Sequence, residues 1–281
     1  MESLSRREFI GGLAAAGAST LLPQTQARTG KINIHHHLTS PGYVKFLTDN
    51  MVRNFPNRSV AEGIEDMDKA NVSTAFTSII GPGIWFGNIE DTKRLARDCN
   101  DFGAKLMADY PGRFGLFASL PLPDIDSCLK EITYAYDTLK ADGIYLFTNF
   151  GKTPLYGDQY LGDPVLAPIY EELNRRKAIV YTHPKDNFCC REIIPGVGGP
   201  TIEYGTDTTR AIQSLLVTGT AAKYPEVRFI FSHGGGTAPY LVGRIAGQAA
   251  PYLREGGSIK AGAPAPRATA TQSVKQPRSS S

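Results

Sequence analysis

Lys31-Ile32-Asn33-Ile34-His35-His36-His37 is a β-branched run that ends in three imidazoles. Side chains alternate along an extended strand, so Asn33, His35 and His37 share one face and Ile32, Ile34 and His36 share the other. Such a strand is expected to turn Asn33, His35 and His37 inward and to pack Ile32 and Ile34 against outer helices. Two imidazoles converging at a strand end are a natural pair of ligands for a divalent ion. The chain holds only two further histidines. His183 closes Val180-Tyr181-Thr182-His183 before Pro184, and His233 closes Phe231-Ser232-His233 before Gly234-Gly235-Gly236.

The first strand candidate is Lys31–Ile34, and five more follow it: Val72–Ile80, Arg113–Ser119, Gly143–Thr148, Ala178–Thr182 and Val227–Ser232. Each is rich in β-branched or aromatic residues and bounded by Gly, Pro or Asn. Between them lie helical stretches at Ile89–Tyr110, Asp124–Lys140, Asp163–Lys177 and Asp207–Tyr224, with another near Pro239–Tyr252. Asp124 is expected as an N-cap, and Asp207 or Thr206 as the cap of its own helix. Strand followed by helix, repeated, gives a parallel sheet with helices outside it. No GxGxxG follows the first strand, which argues against a dinucleotide fold. The expectation is an α/β chain of the (β/α)8 TIM-barrel type, incomplete, with six βα units over residues 28–253. All five histidines then fall at the carboxyl ends of strands, where such barrels carry their sites.

Residues 254–281 are rich in Ala, Pro, Ser and Arg and are expected to form a disordered tail. At the other end, Arg6-Arg7-Glu8-Phe9-Ile10 precedes an apolar, small-residue run from Gly11 to Leu22 and a Thr25-Gln26-Ala27 cleavage site. Residues 1–27 therefore read as a twin-arginine signal peptide, which makes the protein periplasmic or secreted. The apolar run is too short to span a bilayer, so no membrane partner is expected. Net charge is +3 with Lys and Arg scattered among acids, so no nucleic-acid partner is expected either. Cys99, Cys128, Cys189 and Cys190 are too few for a disulfide scaffold. Adjacent Cys189 and Cys190 are expected as ordinary loop thiols, with a vicinal disulfide as the alternative.

The motifs Ile34-His35-His36-His37, Tyr181-Thr182-His183-Pro184 and Phe231-Ser232-His233-Gly234-Gly235-Gly236-Thr237 with Arg244 resemble the amidohydrolase-related family. The nearest branch is the aminocarboxymuconate-semialdehyde decarboxylase type. Arg113–Pro123, Leu161–His183 and Asp207–Ile212 are similar to the 6-methylsalicylate decarboxylases. The likeness runs from residue 31 to about residue 250. It implies a divalent metal, Zn²⁺ first and Mn²⁺ second, held by His35, His37 and His183. It implies that His233 sits beside the metal as an acid/base. The family's remaining ligand is an Asp on the eighth strand, and no position here matches it, so the chain reads as C-terminally truncated.

The reaction implied is decarboxylation of a small aromatic or unsaturated carboxylic acid. Hydrolysis of a small amide, ester or lactone uses the same residues and stays open on physical grounds. A third alternative is an inactive remnant that lacks the strand-eight Asp, and a weaker one is a binding protein without chemistry. Lys185 and Arg191 follow His183 and could meet a carboxylate; Trp85 could stack on an aromatic ring. The expected partner is a small carboxylic acid, and a homo-oligomer is possible.

Overall fold

The computed structural model describes residues 30–50, 58–151, 159–185, 190 and 194–254, with the backbone alone at 248–254. The signal peptide, residues 255–281 of the tail, Cys189 and Arg191 lie outside the described residues. The chain order is β1 (Lys31–His37), α1 (Pro41–Asp49), α2 (Val60–Lys69), β2 (Val72–Ser78), α3 (Ile89–Asp109), β3 (Phe114–Ser119), α4 (Ile125–Asp137) and β4 (Gly143–Phe147). It continues through β5 (Asn149–Phe150), β6 (Gln159–Tyr160), α5 (Ala167–Arg175), β7 (Ile179–His183), α6 (Glu203–Val217), α7 (Thr220–Lys223), β8 (Arg228–Phe231) and α8 (Ala238–Arg254). No helix among the described residues is long and apolar enough to cross a membrane.

Six strands form one parallel sheet in the order β1-β2-β3-β4-β7-β8, while β5 and β6 pair antiparallel apart from it. All six strand candidates are present within one to three residues of their expected ends. The sheet curls. His35 lies near the end of the first strand and His233 follows the last, yet their rings lie 5.0 Å apart. The six expected βα units are therefore the wall of an α/β barrel of the TIM type, with β1 and β8 as its two edges.

Alternation along the strands explains both sides of that wall. Leu116, Ala118, Ile144, Leu146 and Val180 face outward and pack with Ile132 of α4, Ile169 and Leu173 of α5 and Ala211 and Leu215 of α6. Between them, Phe117, Tyr145 and Tyr181 face inward and join Tyr43 and Leu47 of α1 and Leu95 of α3. A sheet buried on both faces needs apolar residues at both parities, as these strands have. The inward residues form an aromatic floor: Phe76 stacks on Phe117 at 5.1 Å, and Phe117 on Tyr181 at 5.0 Å.

Helix starts follow local chemistry. Ser59 and Glu62 close a reciprocal capping box on α2, and Asn88 accepts from the Glu90 and Asp91 amides at the head of α3. Asp124 caps α4 as expected, accepting from Ser127 N–H at 3.2 Å.

Three expectations are corrected. Ile32 and Ile34 are 65% and 39% exposed, not packed on helices. β1 is an edge strand, and the helices that follow it pack elsewhere, α2 on β2 and α1 on α3. The helix expected from Asp207 to Tyr224 begins at Glu203 and breaks at left-handed Gly219 into α6 and α7. Asp207 thus lies inside a helix and is not its cap. Cys190 is disulfide-bonded, whereas Cys99 and Cys128 are buried free thiols.

Candidate metal centre

Parallel strands that end together bring His35 and His37 of β1, His183 of β7 and His233 after β8 to one rim. Ring centroids lie 4.8 Å apart for His35–His37, 4.9 Å for His35–His183, 4.7 Å for His37–His183 and 4.9 Å for His183–His233. One nitrogen from each of His35, His183 and His233 lies within 4.8 Å of the others. His36 points the other way, its ring 6.3 Å from Phe114. The β1 register shifts between Asn33 and His36, but His35 and His37 still face the same interior.

The ring nitrogens not needed at the centre are occupied elsewhere. His183 Nδ1 donates to the Pro184 carbonyl at 2.6 Å. Ser78 Oγ lies 3.3 Å from His37 Nδ1, and Ser232 Oγ 3.0 Å from His233 Nδ1. The bond to the Pro184 carbonyl fixes the His183 tautomer and leaves its Nε2 with a free lone pair. His37 Nε2 is buried with no hydrogen-bond partner. A buried nitrogen without a partner is costly, and a cation relieves that cost.

Burial also favours neutral rings. It lowers His183 to about 2, with His37 and His35 adding repulsion, and lowers His37 to about 4. His35 is lowered by burial and then by His233, and His233 by burial. Neutral imidazoles in contact are the state that accepts a metal. The ordinary, unfolded value is 6.5, above the folded value. Acidification from pH 6.5 to about 4 therefore protonates the unfolded chain before His37 in the folded one. The metal-free protein is expected to lose stability across that window, seen as a falling thermal midpoint; a flat midpoint contradicts the burial assigned to these rings.

His233 is held by an unusual backbone. Its φ is 51°, and Gly234, Gly235 and Gly236 follow at 64°, 78° and 64°. A Cβ on Gly236 would lie 2.0 Å from the Gly205 carbonyl oxygen of α6. Thr209 Oγ1 accepts from Thr237 N–H at 2.9 Å and fastens the loop to the same helix. Gly236→Ala is expected to cost about 1–3 kcal/mol from backbone strain alone, before the clash moves the loop. Urea unfolding checks this, with a cost below about 0.5 kcal/mol as the contrary result.

Two features escaped the sequence reading. Asp207 is 1% exposed and accepts from Thr148, from Asn149 Nδ2 at 2.7 Å and from Tyr160 OH at 2.7 Å. It ties the strand-end residues and β6 to α6. Tyr204 at the head of α6 lies 5.8 Å from the His183 ring and 5.9 Å from His233.

Beside the histidines opens a small cleft. Trp85, Tyr145, Phe147 and Lys185 line it. Lys185 is buried, which pushes its amine down to about 8, and its ammonium lies 5.5 Å from the Phe147 ring centre. Trp85 and Lys185, both expected near the mouth, are thus brought to one cavity.

An amidohydrolase family model matches residues 32–265. A decarboxylase of Penicillium terrestre is 38% identical over 230 residues, 77% of this chain and 67% of that protein. The 6-methylsalicylic acid decarboxylase of Penicillium expansum is 36% identical over 222 residues, 77% of this chain and 67% of that protein. The chain thus spans about two thirds of the length of these curated relatives. A crystal structure of an amidohydrolase II superposes with a TM-score of 0.73 at 29% identity, over 80% of this chain and 73% of that one. A dihydroxybenzoic acid decarboxylase from Polaromonas, with bound manganese and 2-nitroresorcinol, superposes at 0.65 and 24% identity, over 76% of this chain and 68% of that one.

Proposed function

The chain belongs to the amidohydrolase family, and on that premise we propose that it is a metal-dependent carboxy-lyase that removes CO₂ from a small aromatic acid of the 6-methylsalicylate kind. The carrying observation is the convergence of four imidazoles at one rim, three with Nδ1 already engaged. The curated relatives named above are decarboxylases, which favours carbon–carbon cleavage over hydrolysis of an amide, ester or lactone.

In this proposal His35, His37 and His183 hold the ion and His233 stands beside it. Manganese in the Polaromonas decarboxylase accords with a divalent ion; all-imidazole nitrogen donors suit Zn²⁺ equally well. A bound ion supplies positive charge to the acid's oxygens and stabilises the negative charge left as CO₂ departs. The chain's own residues do the rest. Pro184, Ser78 and Ser232 hold His183, His37 and His233 in position. The bond from ring carbon to carboxyl carbon breaks, and its electron pair stays on the ring carbon. His233, once it has taken a proton from solvent, delivers it to that carbon, so that one acid anion and one proton give one arene and one CO₂. His233 is exposed, so solvent restores its proton.

The experiment is direct. The full chain is loaded with Zn²⁺ or Mn²⁺ and incubated with 6-methylsalicylate and, separately, with its methyl ester. Release of CO₂ from the acid supports the proposal. Hydrolysis of the ester with no CO₂ from the acid favours the hydrolase reading.

Export belongs to the same proposal. Replacing Arg6 and Arg7 together by Lys is expected to hold the precursor in the cytoplasm. Fractionation reads this, and unchanged export of the double variant refutes a twin-arginine address.

A further inference from the structure

Lys185 is the one charged residue among the described residues that line the cleft beside the histidines, with the polar Ser119 and Asn149 on the same wall. Among the described residues the cleft wall contains no Asp or Glu. Lys185 is 6% exposed, and among the described residues its ammonium has no hydrogen bond and no salt bridge. Asp207 acts on it through charge. That carboxylate is already engaged by Thr148, Asn149 and Tyr160, with Arg210 at 3.8 Å. Trp85, Tyr145 and Phe147, with Ile84 and Leu120, supply the cleft's aromatic and apolar wall.

A buried cation with no hydrogen-bonded anion is costly unless a ligand supplies one. Apolar aromatic walls with one placed charge describe a site for a planar molecule with one anionic group. The cleft also begins where the histidines end. Lys185 lies two residues beyond His183, Phe147 pairs with His183 in the sheet, and Ile79 follows Ser78.

We infer that this cleft is the recognition subsite for the aromatic acid, with Lys185 donating to an anionic oxygen and the aromatic wall taking the ring. The inference deepens the decarboxylase proposal and rests on it for the substrate class. It assigns charge selection to a residue outside the histidine cluster. An acid is then preferred over its uncharged analogue even when no ion occupies the imidazoles.

Trp85 is the chain's one tryptophan and lines the cleft, so its fluorescence reports occupancy there. The test titrates the full chain, stripped of metal by a chelator, with 6-methylsalicylate and with its methyl ester. Calorimetry gives the affinities, and the Trp85 signal gives the location. The acid is expected to bind about ten- to a hundredfold more tightly than the ester, the usual worth of a charge-assisted hydrogen bond. Lys185→Met should bring the two ligands together in affinity, and Lys185→Arg should keep the preference for the acid. Equal binding of acid and ester by the ion-free wild type overturns the inference without any variant. So does an unchanged preference in a folded Lys185→Met protein, or binding that leaves the Trp85 signal unmoved. An ion-loaded chain that prefers the acid but releases no CO₂ would sink the decarboxylase proposal and leave this subsite standing.

Discussion

Replacing His183 by alanine is expected to empty the centre of its ion and to lower CO₂ release by about a thousandfold or more. The ring is 4% exposed and lies within 5 Å of His35, His37 and His233. Its Nδ1 is already committed to the Pro184 carbonyl, so its one remaining role is at Nε2. A Lewis acid at the reacting group is worth several kcal/mol, and each 1.36 kcal/mol is tenfold in rate. Metal analysis after gel filtration gives the stoichiometry, and CO₂ evolution gives the rate.

The same assay separates the roles of two neighbours. His37→Ala should lose the ion as well. His233→Ala should keep it and lose turnover, because His233 is proposed as a proton donor. This comparison matters because one donor nitrogen from each of His35, His183 and His233 lies within 4.8 Å of the others. An ion that survives His37→Ala and leaves with His233→Ala would exchange the roles of those two residues.

Asp207→Ala is expected to destabilise the fold by about 3–5 kcal/mol, the usual effect of deleting one partner from a buried charged network. Thr148, Asn149 and Tyr160 would each lose their acceptor, and all are held within the wall beneath the cleft. Asp207→Asn should recover only part of the loss, because an amide presents a donor where three donors already converge. Chemical denaturation monitored by circular dichroism measures both. A loss below about 1 kcal/mol for the alanine variant would contradict the role assigned to Asp207.

The strands and the histidines were legible because both are local signals. Val72–Ser78 and Ile179–His183 are short β-branched or aromatic runs, and period-two alternation correctly put His35 and His37 on one face. The fate of Ile32 and Ile34 was not legible. Alternation tells which face they share, but only the sheet order shows that β1 is an edge strand, on which Ile32 and Ile34 stay exposed. Asp207 was misread for a related reason. An aspartate before Thr-Thr-Arg looks like a cap, whereas its actual partners come from residues 148, 149 and 160. Gly236 shows the same limit. A glycine run signals a turn, but not that a methyl group there would strike the Gly205 carbonyl.

Among the described residues, imidazoles from opposite edges of the sheet meet at one rim, His35 from the first strand, His183 from β7 and His233 just after β8. An ion shared between them would act as a clasp, joining chain segments almost two hundred residues apart into a hoop. Such a tether removes conformational freedom from the open chain in the manner of a cross-link. Mechanical integrity and reactivity would then depend on the same few nitrogen atoms, and stripping the ion should loosen the wall while it silences the chemistry.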